Sequence, residues 1–308
     1  MISRQVTGGL AARPAGLADR LSRIWALARD IHAKRPNLQA TFPDIDSDDF
    51  WIWLNTSGLS EYSELAGLLV PLPSPRVRVY VGAKDDFLEI GAAIYRLLSR
   101  VSREFGPSLA SSAAILDFGC GPGRGLRYLL RHADTVACSG TDVDAVAIDW
   151  CRRDFPFGAF TVNSDIPPTT FPSGSFDLIF AVSVFSHLAE DNHLAWLSEV
   201  RRLARPGGVV VLTIHGEHAL RRTLAEPALR QFLSLAESDL PSLRDRLASR
   251  HYAFVRQAES HLNPDRYGLT FIARDYVVSR WSREFDVVAY WEGALKDWQD
   301  AVILRAPG

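Results

Sequence analysis

The chain has 308 residues, 47% of them apolar, and a formal net charge of −2. That is enough apolar material for one large domain, or for one domain with an extension. It carries too little positive charge for the electrostatic footprint of a nucleic-acid binder, whose affinity comes largely from neutralising phosphates. The three cysteines, Cys120, Cys138 and Cys151, form no CxxC pair and have no His at ligand spacing. They read as small core or loop thiols in a reducing compartment, with no metal site expected. Arg13, Asp19 and Arg20 interrupt any apolar run near the N-terminus, and Val209–Ile214 falls far short of the ~20 residues that span a bilayer. A cytoplasmic protein without membrane insertion is expected.

Residues 1–16 mix Gly, Pro and Arg without periodicity and read as a loose tail. Leu17, Leu21, Ile24, Leu27 (or Ala28) and Ile31 recur at helical spacing, and Pro36 stops that helix. Residues 44–70 predict two short helices separated near Gly58, with Trp51 and Trp53 in the first. Pro71-Leu72-Pro73-Ser74-Pro75 is an extended linker, because three prolines in five residues forbid a regular helix. The linker divides an N-terminal helical extension, 1–79, from a main domain, 80–308.

The main domain opens with an amphipathic helix from Asp86 to Arg103. Strand and helix then alternate. Strands are predicted over 114–118, 135–141, 159–162, 176–183 and 209–214. Helices are predicted up to His132, over 145–153 and over about 190–204. Arg205-Pro206-Gly207-Gly208 ends the last of these helices. Residues 215–284 read as a mostly helical lid, followed by strands at 285–290 and 301–305. Such alternation specifies an α/β fold, a doubly wound and mainly parallel sheet with helices on both faces.

The central motif is Ile115-Leu116-Asp117-Phe118-Gly119-Cys120-Gly121-Pro122-Gly123-Arg124-Gly125, between a buried strand and a helix. Its spacing is not the dinucleotide G-x-G-x-x-G, since Arg124 stands three after Gly121 and Leu126 three after Gly123. Nor does it end in the Gly-Lys-Ser/Thr of a P-loop. Instead an acid precedes G-x-G-x-G by two residues. Asp142 follows the second strand and can accept from both ribose hydroxyls, while Asp144 suits a helix cap. Asp165 follows the third strand and can accept from an adenine amino group, with Ile166 packed on the ring. Carboxylates suit S-adenosylmethionine (SAM), which presents an ammonium, a ribose diol and a sulfonium but no phosphate.

On these residues the chain resembles the class I SAM-dependent methyltransferases over about 80–308. Asp117–Gly123 is similar to the family's first motif, Phe171–Ile179 to its approach to the fourth strand, and Arg205–Gly208 to the turn before the fifth. The resemblance implies a Rossmann-like seven-stranded sheet whose last strand, Gln299–Leu304, is antiparallel. It also implies that Asp117, Gly119, Cys120, Gly121 and Gly123 hold the methionine part of SAM, Asp142 the ribose and Asp165 the adenine, with Val143, Ile166 and Ser183 completing the cofactor site. Ser183–Leu188 further resembles a segment of bacterial methyltransferases that act in surface-glycan and secondary-metabolite pathways.

Transfer to a sugar hydroxyl requires loss of a proton, so a base near the strand ends is useful. His187 and His215 both stand there, and Glu217 could orient one of the rings near it. The alternative is structural: His187 bonded to the start of the next helix, His215 supporting a turn. No Asn/Asp-Pro-Pro-Tyr or Pro-Cys follows the fourth strand, which weighs against amino or C5 methylation of nucleic-acid bases. Tyr252, Phe254, Tyr267, Phe271 and Trp281 either face an acceptor or form the lid's own core. The expectation is an enzyme transferring methyl to a hydroxyl of a glycan or small metabolite. An amine N-methyltransferase and a catalytically silent SAM-binding partner in glycan assembly are the alternatives, and homo-oligomerisation is left open.

Overall fold

The structure, a computed structural model, describes residues 16–78, 84–109, 113–257 and 262–308. Most of the expected tail and the expected boundary at 79/80 lie outside the described residues. The chain divides into two compact units, Met1–Val162 and Asn163–Gly308.

In the first unit, α1 (Leu17–Ala33) buries Leu21, Ile24, Ala28 and Ile31 along one face, as their spacing dictates. Pro36 does more than stop α1, for it occupies the first turn of α2 (Pro36–Thr41), where its missing N–H costs nothing. Three short helices follow instead of two: α3 (Asp48–Asn55), α4 (Ser57–Glu61) and α5 (Ser63–Ala66). Gly58 falls inside α4 rather than between helices, and a Cβ there would press on the Trp53 ring and backbone at 3.2 Å. The proline-rich stretch is irregular, and Arg127 Nη2 donates to Val70 O at 3.0 Å. The long helix α6 (Lys84–Phe105) comes next.

These helices are built into the unit that carries the first strands. Trp51 is fully buried and its indole donates to Tyr128 O at 2.9 Å. Asp48 accepts from the Tyr95 hydroxyl at 3.0 Å and pairs with Arg131 at 3.4 Å. The strand β1 (Ala114–Phe118) leads into the glycine loop. The helix after the loop is shorter than predicted: α7 spans only Leu126–Leu129, then tightens to a 3₁₀ turn over Leu130–His132. Glycines in left-handed conformations hold the chain out of a helix until Leu126. Strand β2 (Ala137–Asp142), helix α8 (Ala145–Asp154) and strand β3 (Gly158–Val162) complete the unit, with β1–β2 and β2–β3 parallel. Asp144 caps α8 as expected, accepting from Val146 N at 2.9 Å and Ala147 N at 3.3 Å.

The second unit begins with β4 (Phe176–Ala181) and α9 (Glu190–Leu203). Strand β5 starts already at Ala204 and runs to Ile214, parallel to β4, with a register shift where Arg205–Gly208 bulges. Helices α10 (Glu217–Ala225), α11 (Pro227–Phe232) and α12 (Leu240–Arg250) follow. The expectation that 215–284 is mostly helical fails at its centre. Strands β6 (Tyr252–Arg256) and β7 (Gly268–Ile272) pair antiparallel as a separate two-stranded sheet. Their β-branched and aromatic residues favour this pairing, and Leu243, Leu247, Ala253, Leu269 and Phe271 form a core beneath it. Tyr252, Phe271 and Trp281 are buried, so these aromatics serve the lid's own packing.

Helix α13 (Arg274–Arg280) leads to β8 (Asp286–Leu295) and β9 (Gln299–Arg305). As the resemblance implied, β9 is antiparallel to both of its neighbours, β5 and β8. The seven strands run in the order β3-β2-β1-β4-β5-β9-β8, a Rossmann-like α/β sheet. Among the described residues no helix is long and apolar enough to cross a membrane.

Trp51→Phe deletes the indole donor to Tyr128 O. The expected result is a loss of ~1–3 kcal/mol of unfolding free energy by urea denaturation; an unchanged midpoint would show that the N-terminal helices do not depend on this anchor.

Candidate cofactor and acceptor residues

The first unit assembles the glycine loop at the end of β2. Gly119 N and Cys120 N both donate to Thr141 O, at 2.8 and 3.1 Å. Gly119, Gly121 and Gly123 have φ of 76°, 49° and 77°, the left-handed region that a residue with a Cβ enters at a cost. At Gly123 a Cβ would also run into the Phe155 ring. The loop thereby offers bare main chain for the close approach of a ligand.

Asp142, the last residue of β2, fastens this loop. One carboxylate oxygen accepts from Gly121 N at 2.7 Å and the other from Asp144 N at 2.9 Å. Each oxygen keeps a lone pair, so the carboxylate still has capacity for a diol. Val143 beside it is half-buried. Asp117 is buried. Its burial first, and then the charge of Asp142, push its carboxyl well above the usual carboxylate range, with Arg124 opposing. Burial also raises Asp142, against backbone N–H bonds from Asp144, Gly121 and Val143. Two acids that repel one another, one buried and one half-buried, are relieved by a cation and by hydroxyl donors, whereas a pyrophosphate would worsen the repulsion. This donor set fits SAM. Cys120 is buried, its thiol raised by that burial, and all three cysteines are free. All three side chains are buried.

The second unit places the remaining candidates. Asp165 pairs with Arg266 at 2.7 Å, and Ile166 beside it is 44% exposed, an apolar side chain left open to packing. Ser183, just beyond β4, has φ of 60°. Its N–H donates to Thr213 Oγ1 at 2.9 Å and its hydroxyl accepts from Gln299 Nε2 at 2.8 Å.

The two histidines differ sharply. His187 Nδ1 lies 2.8 Å from Gly268 O. A carbonyl only accepts, so Nδ1 carries the proton and Nε2 keeps its lone pair. The ring is partly exposed, and the described residues give Nε2 no partner. Burial lowers its pKa below the ordinary 6.5, and the bond to Gly268 opposes this. His215 is 2% exposed, with Trp298 and Phe271 at ring-centroid distances of 5.0 and 5.5 Å. Burial, then His187, push its pKa down to about 3. Its Nε2 meets Gln299 Nε2 at 3.4 Å, and its ring lies edge-on to His187 at 5.8 Å. Glu217 orients neither His215 nor His218: its carboxylate accepts from Arg274 N at 3.3 Å, and His218 pairs with Asp297 at 3.0 Å. Sequence reasoning passed over Thr213, Gln299, Gly268 and Arg266. The one available signal was that Thr213 and Gln299 lie at the strand ends where ligands of such sheets bind.

Comparison with known proteins agrees with this geometry. Residues 115–208 match the family model described as a methyltransferase domain. The chain is 32% identical over 127 residues to the fatty-acid O-methyltransferase of Mycolicibacterium smegmatis, a match covering 38% of this chain and 44% of that protein. It is 28% identical over 153 residues to the trans-aconitate 2-methyltransferase of Methylobacterium nodulans, covering 46% of this chain and 54% of the relative. The matched region thus spans about half the length of these relatives. The fold is also that of the PH0226 protein from Pyrococcus horikoshii OT3, with a TM-score of 0.50 and 14% identity over 80% of this chain and 99% of that one. The acid-lined glycine loop, the sheet order and the methyltransferase domain matched over residues 115–208 together support a class I SAM-dependent methyltransferase fold with SAM as its cofactor.

Proposed function

We propose that the chain transfers the methyl group of SAM to a hydroxyl oxygen of a sugar or other small metabolite. SAM supplies a methyl carbon on a positively charged sulfur, open to in-line attack. Asp117 would hold the ammonium group, the main chain of Gly119–Gly123 the methionine part, and Asp142 the ribose diol. Asp165, with Ile166, would hold the adenine. Positioning of the two reactants is the protein's main contribution, and orientation of this kind is worth up to ~7–11 kcal/mol of barrier.

The observation that carries the oxygen acceptor is the state of His187. Its Nδ1–H is committed to Gly268 O and its Nε2 lone pair is unengaged, the arrangement of a general base. Attack of the acceptor oxygen on the methyl carbon would break the carbon–sulfur bond and release S-adenosylhomocysteine as leaving group, and the acceptor's hydroxyl proton would pass to His187 Nε2. A pKa below 6.5 keeps this ring neutral, and so ready to accept, at neutral pH. His215, buried and with Nε2 already facing a donor, is assigned a supporting role. The relative from Mycolicibacterium smegmatis, a fatty-acid O-methyltransferase, supports an oxygen acceptor without separating a hydroxyl from a carboxylate.

Three outcomes are expected. Asp142→Ala should weaken SAM binding by ~1–3 kcal/mol in calorimetry, the loss of a charged hydrogen-bond acceptor; undiminished affinity would remove the ribose assignment. In the unliganded protein Asp117 has a raised pKa, and an ammonium placed beside it would lower that value. SAM binding should therefore release protons and tighten as pH rises through the titration of Asp117. Titrations in buffers of different ionisation enthalpy measure this, and proton uptake would contradict it. His187→Ala should slow methyl transfer to a hydroxyl acceptor by ~10²–10⁴-fold while leaving SAM affinity intact. Wild-type turnover by the variant would point instead to an acceptor that sheds no proton to the enzyme, such as a free amine or a carboxylate.

A further inference from the structure

Gln299 is the first residue of β9, buried, and without a part in the reaction as described above. Its carboxamide nevertheless stands at the centre of a polar network formed wholly within the second unit. Thr213 Oγ1 approaches Gln299 Oε1 at 2.6 Å. That separation belongs to O–H···O bonds and is shorter than N–H···O bonds run. The Ser183 N–H can only donate, and it uses an acceptor position of the same hydroxyl. Thr213 therefore gives its proton to Gln299 Oε1. This fixes the amide orientation, so that Nε2 turns its two N–H groups to Ser183 Oγ at 2.8 Å and to His215 Nε2 at 3.4 Å.

An N–H group cannot pair with a second N–H. His215 must therefore present a bare lone pair at Nε2 and carry its single proton on Nδ1, a nitrogen with no hydrogen-bond partner among the described residues. A second proton on the ring would point straight at the amide donor. The rings of His187, Trp298 and Phe271 pack around it, and His187 is the only ionisable group among them. On the other side, the amide and Thr213 together clamp Ser183 in its left-handed conformation, a strain that persists only when surrounding bonds enforce it.

We propose that Gln299 is a positioning residue: its carboxamide, oriented by Thr213, locks His215 as the neutral Nδ1–H tautomer and holds Ser183 in its left-handed turn. The consequence is that the edge-on neighbour of His187 stays uncharged, which leaves His187 as the one imidazole of the pair free to take a proton. This last step rests on the reading of His187 as base, but the state of His215 does not.

The test is long-range ¹H–¹⁵N NMR of the histidine rings in the full chain. In the wild type, His215 is expected as the Nδ1–H tautomer with no titration between about pH 5 and pH 8, the range in which an ordinary imidazole changes charge. Gln299→Glu replaces the donor with an acceptor, so His215 should become protonated at Nε2 and begin to titrate in that range. The new charge should also lower the pKa of His187. Gln299→Leu, close in size and without polar atoms, should leave His215 with mixed tautomers. An Nε2–H tautomer in the wild type overturns the proposal, and that measurement stands even if neither variant folds. An unchanged His215 in a folded Gln299→Glu variant overturns it as well. Failure of wild-type SAM binding would instead sink the proposed function and leave the tautomer result untouched.

Discussion

The carboxylate of Asp142 is the constraint on which the first unit's chemistry depends. It takes one N–H from the glycine loop and one from the turn into α8. The same group thus shapes the loop and terminates β2. Backbone N–H groups favour its charged form while burial disfavours it and prevails, and hydroxyl donors beside a cation would favour the charged form further. Asp117, deeper and without such backbone donors, sits further from its ordinary state. An acidic loop of this kind would disfavour phosphates by charge.

Much of this was legible in the sequence. Leu21, Ile24, Ala28 and Ile31 announced the face of α1, and Asp117, Asp142 and Asp165 announced themselves by standing at or just after the ends of successive apolar strands. Local rules reached these features because each is decided by neighbours a few residues away. The β6–β7 pair escaped because Tyr252–Arg256 and Gly268–Ile272 are short, separated, and set between helical runs. Their pairing is a tertiary choice. The short α7 escaped because the glycine loop continues further in space than its motif does in sequence.

The two histidines show a different limit. Each follows a strand, each has an apolar neighbour on one side, and nothing local separates a base from a buried structural ring. The difference lies in partners contributed from far along the chain: a carbonyl on β7 for His187, and a carboxamide on β9 with Trp298 and Phe271 for His215. Thr213, Gln299 and Ser183 are ordinary residues singly, and only the hydrogen-bond directions among them assign protons. Closure of the sheet by an antiparallel last strand is what brings Gln299 to Thr213. Topology and chemistry are joined at that residue.

The most direct measurement is calorimetric titration of the purified chain with SAM and, separately, with NADH, a dinucleotide that shares the adenosine but adds a pyrophosphate. Saturable binding of SAM with no detectable heat from NADH is the expected result. Binding of NADH by a chain that ignores SAM would contradict the central claim, that acids at the tips of β1 and β2 select a cationic, phosphate-free nucleoside.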